Sequence, residues 1–377
     1  MKPLQLAFIL SLSLLLSCAV NPYYDPEKVH HTKSGFKNIE QGDNKGLFAF
    51  LKWRWERLFK EIPGADDYDF EIDTTQHEFV STNTEKATLT WIGHATFLIQ
   101  FSGLNILTDP QFSERASPVS WAGPRRAVPP AIAIDNLPDI DAVIISHDHY
   151  DSLDVASVTE LSTHNRQRPI TFIVPLGMKP WFDDLGLESA RVVELDWTRS
   201  HTIMGVTFTA EPVQHWSKRT LLDANQRLWA SWVIEAQGNR IFFAGDTGYA
   251  KHFKQIGHKY GRFDLALLPI GAYEPRWFMK FHHVNPEESV QIHRDIHSKY
   301  SVAMHWGTFI LTDEPLDAAP LELAKALQKY QLDESSFEIY QHGETRILDD
   351  LFIKPVAHNN TQHSVREEVL DSGLNWK

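Results

Sequence analysis

Apolar and β-branched residues recur along the chain in short blocks bounded by Gly, Pro, Asn or Asp, the pattern of buried strands. The blocks at 87–91, 96–101 and 105–108 predict a meander, with Ser102-Gly103 as one of its turns. Further strands are predicted at 140–146, 170–174, 191–195 and 206–210. Gly238-Asn239 is a hairpin signal between the blocks 229–236 and 240–244. Two more apolar blocks follow, at 265–269 and 301–304. Helical spacing appears elsewhere. In 47–60, Leu47, Phe48, Phe50, Leu51, Trp55, Leu58 and Phe59 form one stripe. The expected role of that stripe is core packing, with a membrane-facing role as the alternative. Asn285 as N-cap, Pro286 at the first helical position and Glu287-Glu288 in the first turn open a second helix. A third is predicted over 321–330.

Several of the apolar blocks end abruptly in polar residues. The strand at 140–146 runs into Ser146-His147-Asp148-His149-Tyr150-Asp151, a His-x-His-x-Asp arrangement. Imidazole and carboxylate placed together at a strand end suit zinc and related divalent metals. One histidine there would read as a polar loop cap, but the triplet is a metal-binding pattern. His215, Asp246 and His305 each follow another apolar block, and His94 lies between two. Any one of them alone reads as structural. With His147, His149 and Asp151 they make a set of candidate ligands at matching strand ends.

Composition narrows the picture. The chain has 377 residues and 42% hydrophobic content, enough for a large globular core. A formal net charge of -13 argues against nonspecific nucleic-acid binding, which needs Lys and Arg to neutralise phosphates. With one cysteine, Cys18, neither an intrachain disulfide nor a thiolate metal site can form. Residues 1–17 begin with Lys2 and continue as an apolar run, a secretory signal too short to span a bilayer comfortably. It ends Leu15-Leu16-Ser17-Cys18, which resembles the lipobox of bacterial lipoproteins. That resemblance implies acylation of Cys18 and, with Ala19 following, an outer-membrane anchor in the cell envelope. The expected organisation is a signal over 1–17, an N-terminal extension over 18–86, one catalytic domain over 87–350 and a polar tail over 351–377.

The strings Trp91-Ile92-Gly93-His94-Ala95-Thr96, Gln214-His215-Trp216, Ala244-Gly245-Asp246-Thr247-Gly248-Tyr249, Tyr273-Glu274-Pro275-Arg276-Trp277-Phe278-Met279 and Met304-His305-Trp306-Gly307-Thr308-Phe309 resemble the N-acyl-phosphatidylethanolamine-hydrolysing phospholipase D family of the metallo-β-lactamase fold. The resemblance implies an α/β fold, an αββα sandwich with metal at the edge between its sheets. It assigns His147, His149 and His215 to one zinc, Asp246 to both, and Asp151 and His305 to a second. Where the family carries a histidine after the aspartate, this chain has Ser152. A hydroxyl is a poor zinc ligand, so the first zinc is expected to be firm and the second weaker. The implied reaction is attack of a metal-bound hydroxide on the phosphodiester of an N-acylated glycerophospholipid, with Asp151 as the catalytic carboxylate. Expected substrate contacts are His94, Tyr249, Tyr273, Arg276, Trp277 and His283.

The fold hosts many reactions. Lactone or small-phosphodiester hydrolysis therefore stays open, as does a non-catalytic envelope lipoprotein. The expected partners are a membrane lipid and, through Cys18, the membrane itself. Cys18→Ala is expected to leave an uncleaved precursor or release soluble protein. Mass and membrane fractionation check this, and an unchanged result for both refutes acylation.

Overall fold

The computed structural model describes residues 21–42, 45–165, 168–187 and 190–352. The expected signal segment, Cys18 and nearly all of the expected tail lie outside the described residues. Two seven-stranded sheets dominate. The first runs, in spatial order, Thr345–Ile347, Thr88–Gly93, Thr96–Phe101, Leu104–Thr108, Ala142–Ile144, Thr171–Pro175 and Arg191–Leu195. Its first four strands pair antiparallel and the rest parallel. The second runs Phe337–Glu338, Ser298–Met304, Phe263–Pro269, Asn239–Phe243, Ser231–Ala236, Val206–Glu211 and Ser200–Ile203. Here the order is reversed, with parallel pairs on the late strands and antiparallel pairs on the early ones.

Side-chain alternation explains the layers. Successive strand residues point to opposite faces. In the first sheet, Trp91, Phe97, Ile99, Ile106, Ala142, Ile144 and Ile173 join one core cluster with the second sheet. Their neighbours Ile92, Leu98, Leu107, Val143, Ile145, Phe172 and Val174 join another. That second cluster includes Val158 and Leu161 of the helix Val155–His164 and Phe182 of Lys179–Asp184. The central strands are thus buried on both faces, which is why they read as continuous apolar runs. On the far side of the second sheet, Phe253, Val290, Ile292, Leu323 and Leu327 belong to the large cluster. They come from the helices His252–Tyr260, Pro286–Asp295 and Ala318–Tyr330. Helices therefore flank two facing sheets, as the resemblance implies. The Asn285 cap forms as expected, accepting from Glu288 N while the Glu288 side chain bonds the Asn285 backbone.

Two findings concern the N-terminal extension. First, its residues 21–38 are tied into the catalytic body. The Asn38 amide donates to His215 O at 2.8 Å, and Asn38 Oδ1 accepts from His215 N at 3.1 Å and Trp229 Nε1 at 3.0 Å. Second, the helix Leu47–Arg57 does not pack its apolar stripe into the core. Only Trp53 is buried in it. Phe48 is 88% exposed, and Leu47, Leu51, Trp55, Leu58 and Phe59 are each more than half exposed. Helical periodicity marks an apolar face but does not say what covers it, and here nothing else in the described chain does.

Asn38→Ala leaves the buried His215 amide and carbonyl without partners, at a cost of about 2 kcal/mol. Denaturant unfolding of the full chain should show a loss of that size with an unchanged slope. An unchanged midpoint would mean that the extension only lies against the body.

Candidate metal centre

The expected ligands meet at one edge of the sandwich, at the carboxyl ends of strands. His147, His149 and Asp151 lie in the loop after Ala142–Ile144. His215 follows Val206–Glu211, Asp246 follows Asn239–Phe243, and His305 follows Ser298–Met304 directly. His94 sits in the turn between Thr88–Gly93 and Thr96–Phe101. Ligand atoms of His147, His149 and His215 lie within 4.8 Å of one another, as do those of His94, Asp151 and His305, and those of His215, Asp246 and His283.

Asp246 stands between these groups. Its Oδ2 is 3.7 Å from His147 Nε2, 4.0 Å from His215 Nε2, 3.9 Å from His283 Nδ1 and 3.0 Å from His305 Nε2. Asp151 Oδ2 is 3.4 Å from His305 Nε2 and 3.3 Å from His94 Nε2. The close approaches do not resolve into a satisfied hydrogen-bond network. Both Asp246 carboxylate oxygens, His147 Nε2, His149 Nε2 and both His305 nitrogens are buried without a hydrogen-bond partner. Unpaired buried acceptors of that kind are costly, and a metal satisfies them.

Another histidine–aspartate group makes the contrast plain. His30, His31 and Asp196 also cluster and are buried. There Asp196 accepts from Lys28 Nζ at 2.6 Å, His30 Nε2 at 2.7 Å, His31 Nε2 at 3.0 Å and Trp197 N at 2.7 Å. That carboxylate is already satisfied by donors. The group is a clamp on the N-terminal segment, while the Asp246 group is a cage with donor atoms turned inward.

Surrounding residues fix the inward direction. The His147 Nδ1 side meets Ser146 Oγ at 2.8 Å, and that hydroxyl donates to Asp109 Oδ2 at 2.5 Å. Asp109 Oδ1 also accepts from Ser146 N at 2.6 Å. His215 Nδ1 donates to His282 O at 3.0 Å, which leaves Nε2 facing the cage. Gly245, with φ +60°, lets the Asp246 strand end come close, since a Cβ there would stand 2.4 Å from Ser146 Cβ. Asp148, the residue between the two motif histidines, turns away to accept from Lys218 N and Arg227 Nη1.

Charge follows from burial. Burial, with neighbouring imidazoles adding to it, holds His147 near 3 and His215 well below the usual range. Burial likewise holds His283 near 3. These rings are neutral at physiological pH, as metal ligands must be. His305 differs. Burial pushes it down, but Asp246 and Asp151 outweigh burial and raise it to about 10. Burial also pushes both carboxyl groups up, yet their histidine partners hold Asp246 and Asp151 below the usual carboxylate range. The site therefore demands positive charge, which a divalent cation supplies in place of the His305 proton.

A cavity of about 740 Å³ opens from the cage, with His149, Asp151, Asp246 and His283 on its wall. Trp216, Phe50, Trp53, Phe278, Met279, Leu221 and Leu311 make the rest largely apolar. Of the expected substrate contacts, only His283 is on this wall. His94 is buried among the ligands instead. The Tyr249 hydroxyl is taken by Asp295 at 2.6 Å, and Arg276 is spent on Glu288 at 2.6 Å and His283 O at 2.8 Å. Tyr273 borders a separate hollow, and Trp277 carries Lys52 over its ring at 4.1 Å. These four were expected from closeness in sequence, but Phe278, Met279, His282 and His283 line the cavity in their place. Sequence reasoning missed Asn38 and Ser146. Ser146 had a signal, being the first polar residue after the apolar run 142–145, while Asn38 had none.

Comparison with known proteins agrees with this geometry. The family model for the β-lactamase superfamily domain matches residues 104–306. The chain is 42% identical, over 68% of its length and 74% of the other, to N-acyl-phosphatidylethanolamine-hydrolyzing phospholipase D 1 of Caenorhabditis elegans. It is 38% identical to the mitochondrial N-acyl-phosphatidylethanolamine-hydrolyzing phospholipase D of Saccharomyces cerevisiae, over 60% of this chain and 48% of that one. The fold is also that of an isothiocyanate hydrolase from Delia radicum gut bacteria, with a TM-score of 0.54, 20% identity, and coverage of 69% of this chain and 98% of that one. The chain belongs to the N-acyl-phosphatidylethanolamine-hydrolysing phospholipase D-like family of the metallo-β-lactamase fold and is a metal-dependent hydrolase.

Proposed function

We propose that the chain hydrolyses the phosphodiester bond of an N-acylated or related long-chain glycerophospholipid with two zinc ions. His147, His149 and His215 would hold the first ion, Asp246 both, and Asp151 and His305 the second. Bound there, the ions supply an activated water and positive charge for the oxygens of a phosphodiester under attack. Asp151 borders both the cage and the cavity, so its carboxylate is placed to orient that water and take its proton. His283, on the cavity wall and held by Arg276 through its carbonyl, would face the substrate phosphate.

The observation that carries the lipid reading is the mouth of the cavity. Leu47, Phe50 and Leu221, all exposed, stand at its rim, and Phe48, Leu51 and Trp55 continue the apolar surface along the helix. A contiguous apolar surface of this kind marks an interaction site rather than ordinary exposure. The cavity can hold a headgroup and the start of an acyl chain, but not three whole chains. The rest of the lipid would stay in the bilayer while the helix lies in the interface, its Lys52 and Arg54 towards the headgroups. The match to two phospholipases supports the substrate class, and an acyl anchor at Cys18 would keep the enzyme on the same membrane.

Two outcomes test this. With zinc-loaded enzyme and N-acylphosphatidylethanolamine vesicles in oxygen-18 water, phosphatidic acid should form and carry the label. Asp246→Asn should lose more than about 100-fold in rate, since altering even an outer-shell partner of a metal ligand costs 10–100-fold. No lipid turnover by a loaded enzyme that cleaves a lactone or bis(p-nitrophenyl) phosphate would move the assignment to those substrates. The second outcome separates surface from chemistry. Phe48→Asp with Trp55→Asp should weaken vesicle binding by about 10-fold or more, from the apolar burial lost at the interface, and leave soluble diester hydrolysis unchanged. Equal vesicle binding by variant and parent would rule out the helix as the docking surface.

A further inference from the structure

We propose that His94 is a ligand of the second metal ion, through Nε2, completing with Asp151, His305 and Asp246 a four-donor set. This rests on the two-metal reading above. It also revises the expectation that the second position is weak because residue 152 is serine.

The distances carry it. With zinc bonds of about 2.0–2.1 Å, the donors of a tetrahedral site stand about 3.3–3.4 Å apart. His94 Nε2 to Asp151 Oδ2 is 3.3 Å, His305 Nε2 to the same oxygen 3.4 Å, and His305 Nε2 to Asp246 Oδ2 3.0 Å. The His94 and His305 rings are 4.0 Å apart and tilted 43°, so the two imidazoles lean towards a common space rather than stacking. Without His94 the protein supplies three donors at this position, and the fourth place falls to water. Ser152 is fully buried, but a neutral hydroxyl is a poor zinc ligand beside imidazole and carboxylate, so it does not replace His94.

The backbone is built to hold this pair. His94 and His305 are both non-glycine residues in left-handed conformation, with φ 54° and 63°. Strain of that kind persists only where surroundings impose it, and it concentrates at functional sites. Here His305 N donates to His94 O at 3.0 Å, Trp91 Nε1 donates to the same carbonyl at 3.0 Å, and His94 N donates to Thr308 Oγ1 at 2.9 Å. The turn carrying His94 and the strand end carrying His305 are thereby locked together.

A bare hydrogen bond from His94 to Asp151 is the competing role, and His94→Gln separates the two. Glutamine keeps an N–H that can reach Asp151 but gives up the nitrogen that binds zinc. Zinc per chain, measured on dialysed full-length protein, should be about two in the parent and about one in His94→Gln. Zinc affinity at the lost position should fall by at least about 10-fold. Two ions in the variant, held with parental affinity, overturn the proposal. Fewer than two in the parent overturn the two-metal reading and the proposal together. Should the variant fail to fold, anomalous diffraction from zinc-loaded parent crystals decides. An ion about 2.1 Å from His94 Nε2 supports the assignment, and a second ion beyond about 3 Å from it refutes this proposal alone.

Discussion

The buried carboxylate of Asp246 is the group on which the rest of the site depends. It is 2% exposed, and neither oxygen has a hydrogen-bond donor. An ionised carboxylate so placed costs several kcal/mol unless positive charge stands beside it. Two things can supply that charge, a proton on His305 or a divalent cation. The histidines around Asp246 are held neutral by burial, so apart from His305 they cannot share the load as cations, but they can as ligands. This makes metal binding and loss of the His305 proton two sides of one exchange. It also explains the elaborate support nearby. Gly245 brings the strand end in, and Ser146 and Asp109 set the His147 ring. A loose cage could not make an unpaired buried charge tolerable.

How much of this could be read in the sequence depended on where each residue lies relative to a strand. His147, His149, Asp151, His215, Asp246 and His305 were legible because each breaks an apolar run at its end. In a sandwich whose central strands are buried on both faces, a polar residue at such a point has only the sheet edge to go to. Closeness in sequence to a ligand was a poorer guide for Tyr249, Tyr273, Arg276 and Trp277, which are not on the cavity wall. They are near ligands in sequence, but loop geometry, not adjacency, decides which way a side chain faces. The short edge strands Ser200–Ile203 and Thr345–Ile347 escaped because they are half polar and lack a clear alternation. His94 was legible as a member of the set but not in its role, since the contact that matters joins it to residues far along the chain.

The exposed helix shows a different limit and closes the physical account. Its apolar stripe alone would favour turning inward, because burial of seven large side chains is strongly favourable. What holds it outward is one buried carboxylate. Asp313 accepts from Trp53 Nε1 at 3.0 Å, Arg57 Nη1 at 2.9 Å and Lys60 Nζ at 2.7 Å, while Trp53 stacks on Phe278 at 5.1 Å. These contacts use the polar face and the one tryptophan that points in, so the helix is fixed with its opposite face bare. Side chains of the same helix, Leu47, Phe50 and Trp53, line the cavity that ends at Asp151 and Asp246. The clamp on Asp313 therefore ties two features together. One is the bare apolar face of the helix at the cavity mouth, and the other is the buried charge at the cavity's inner end.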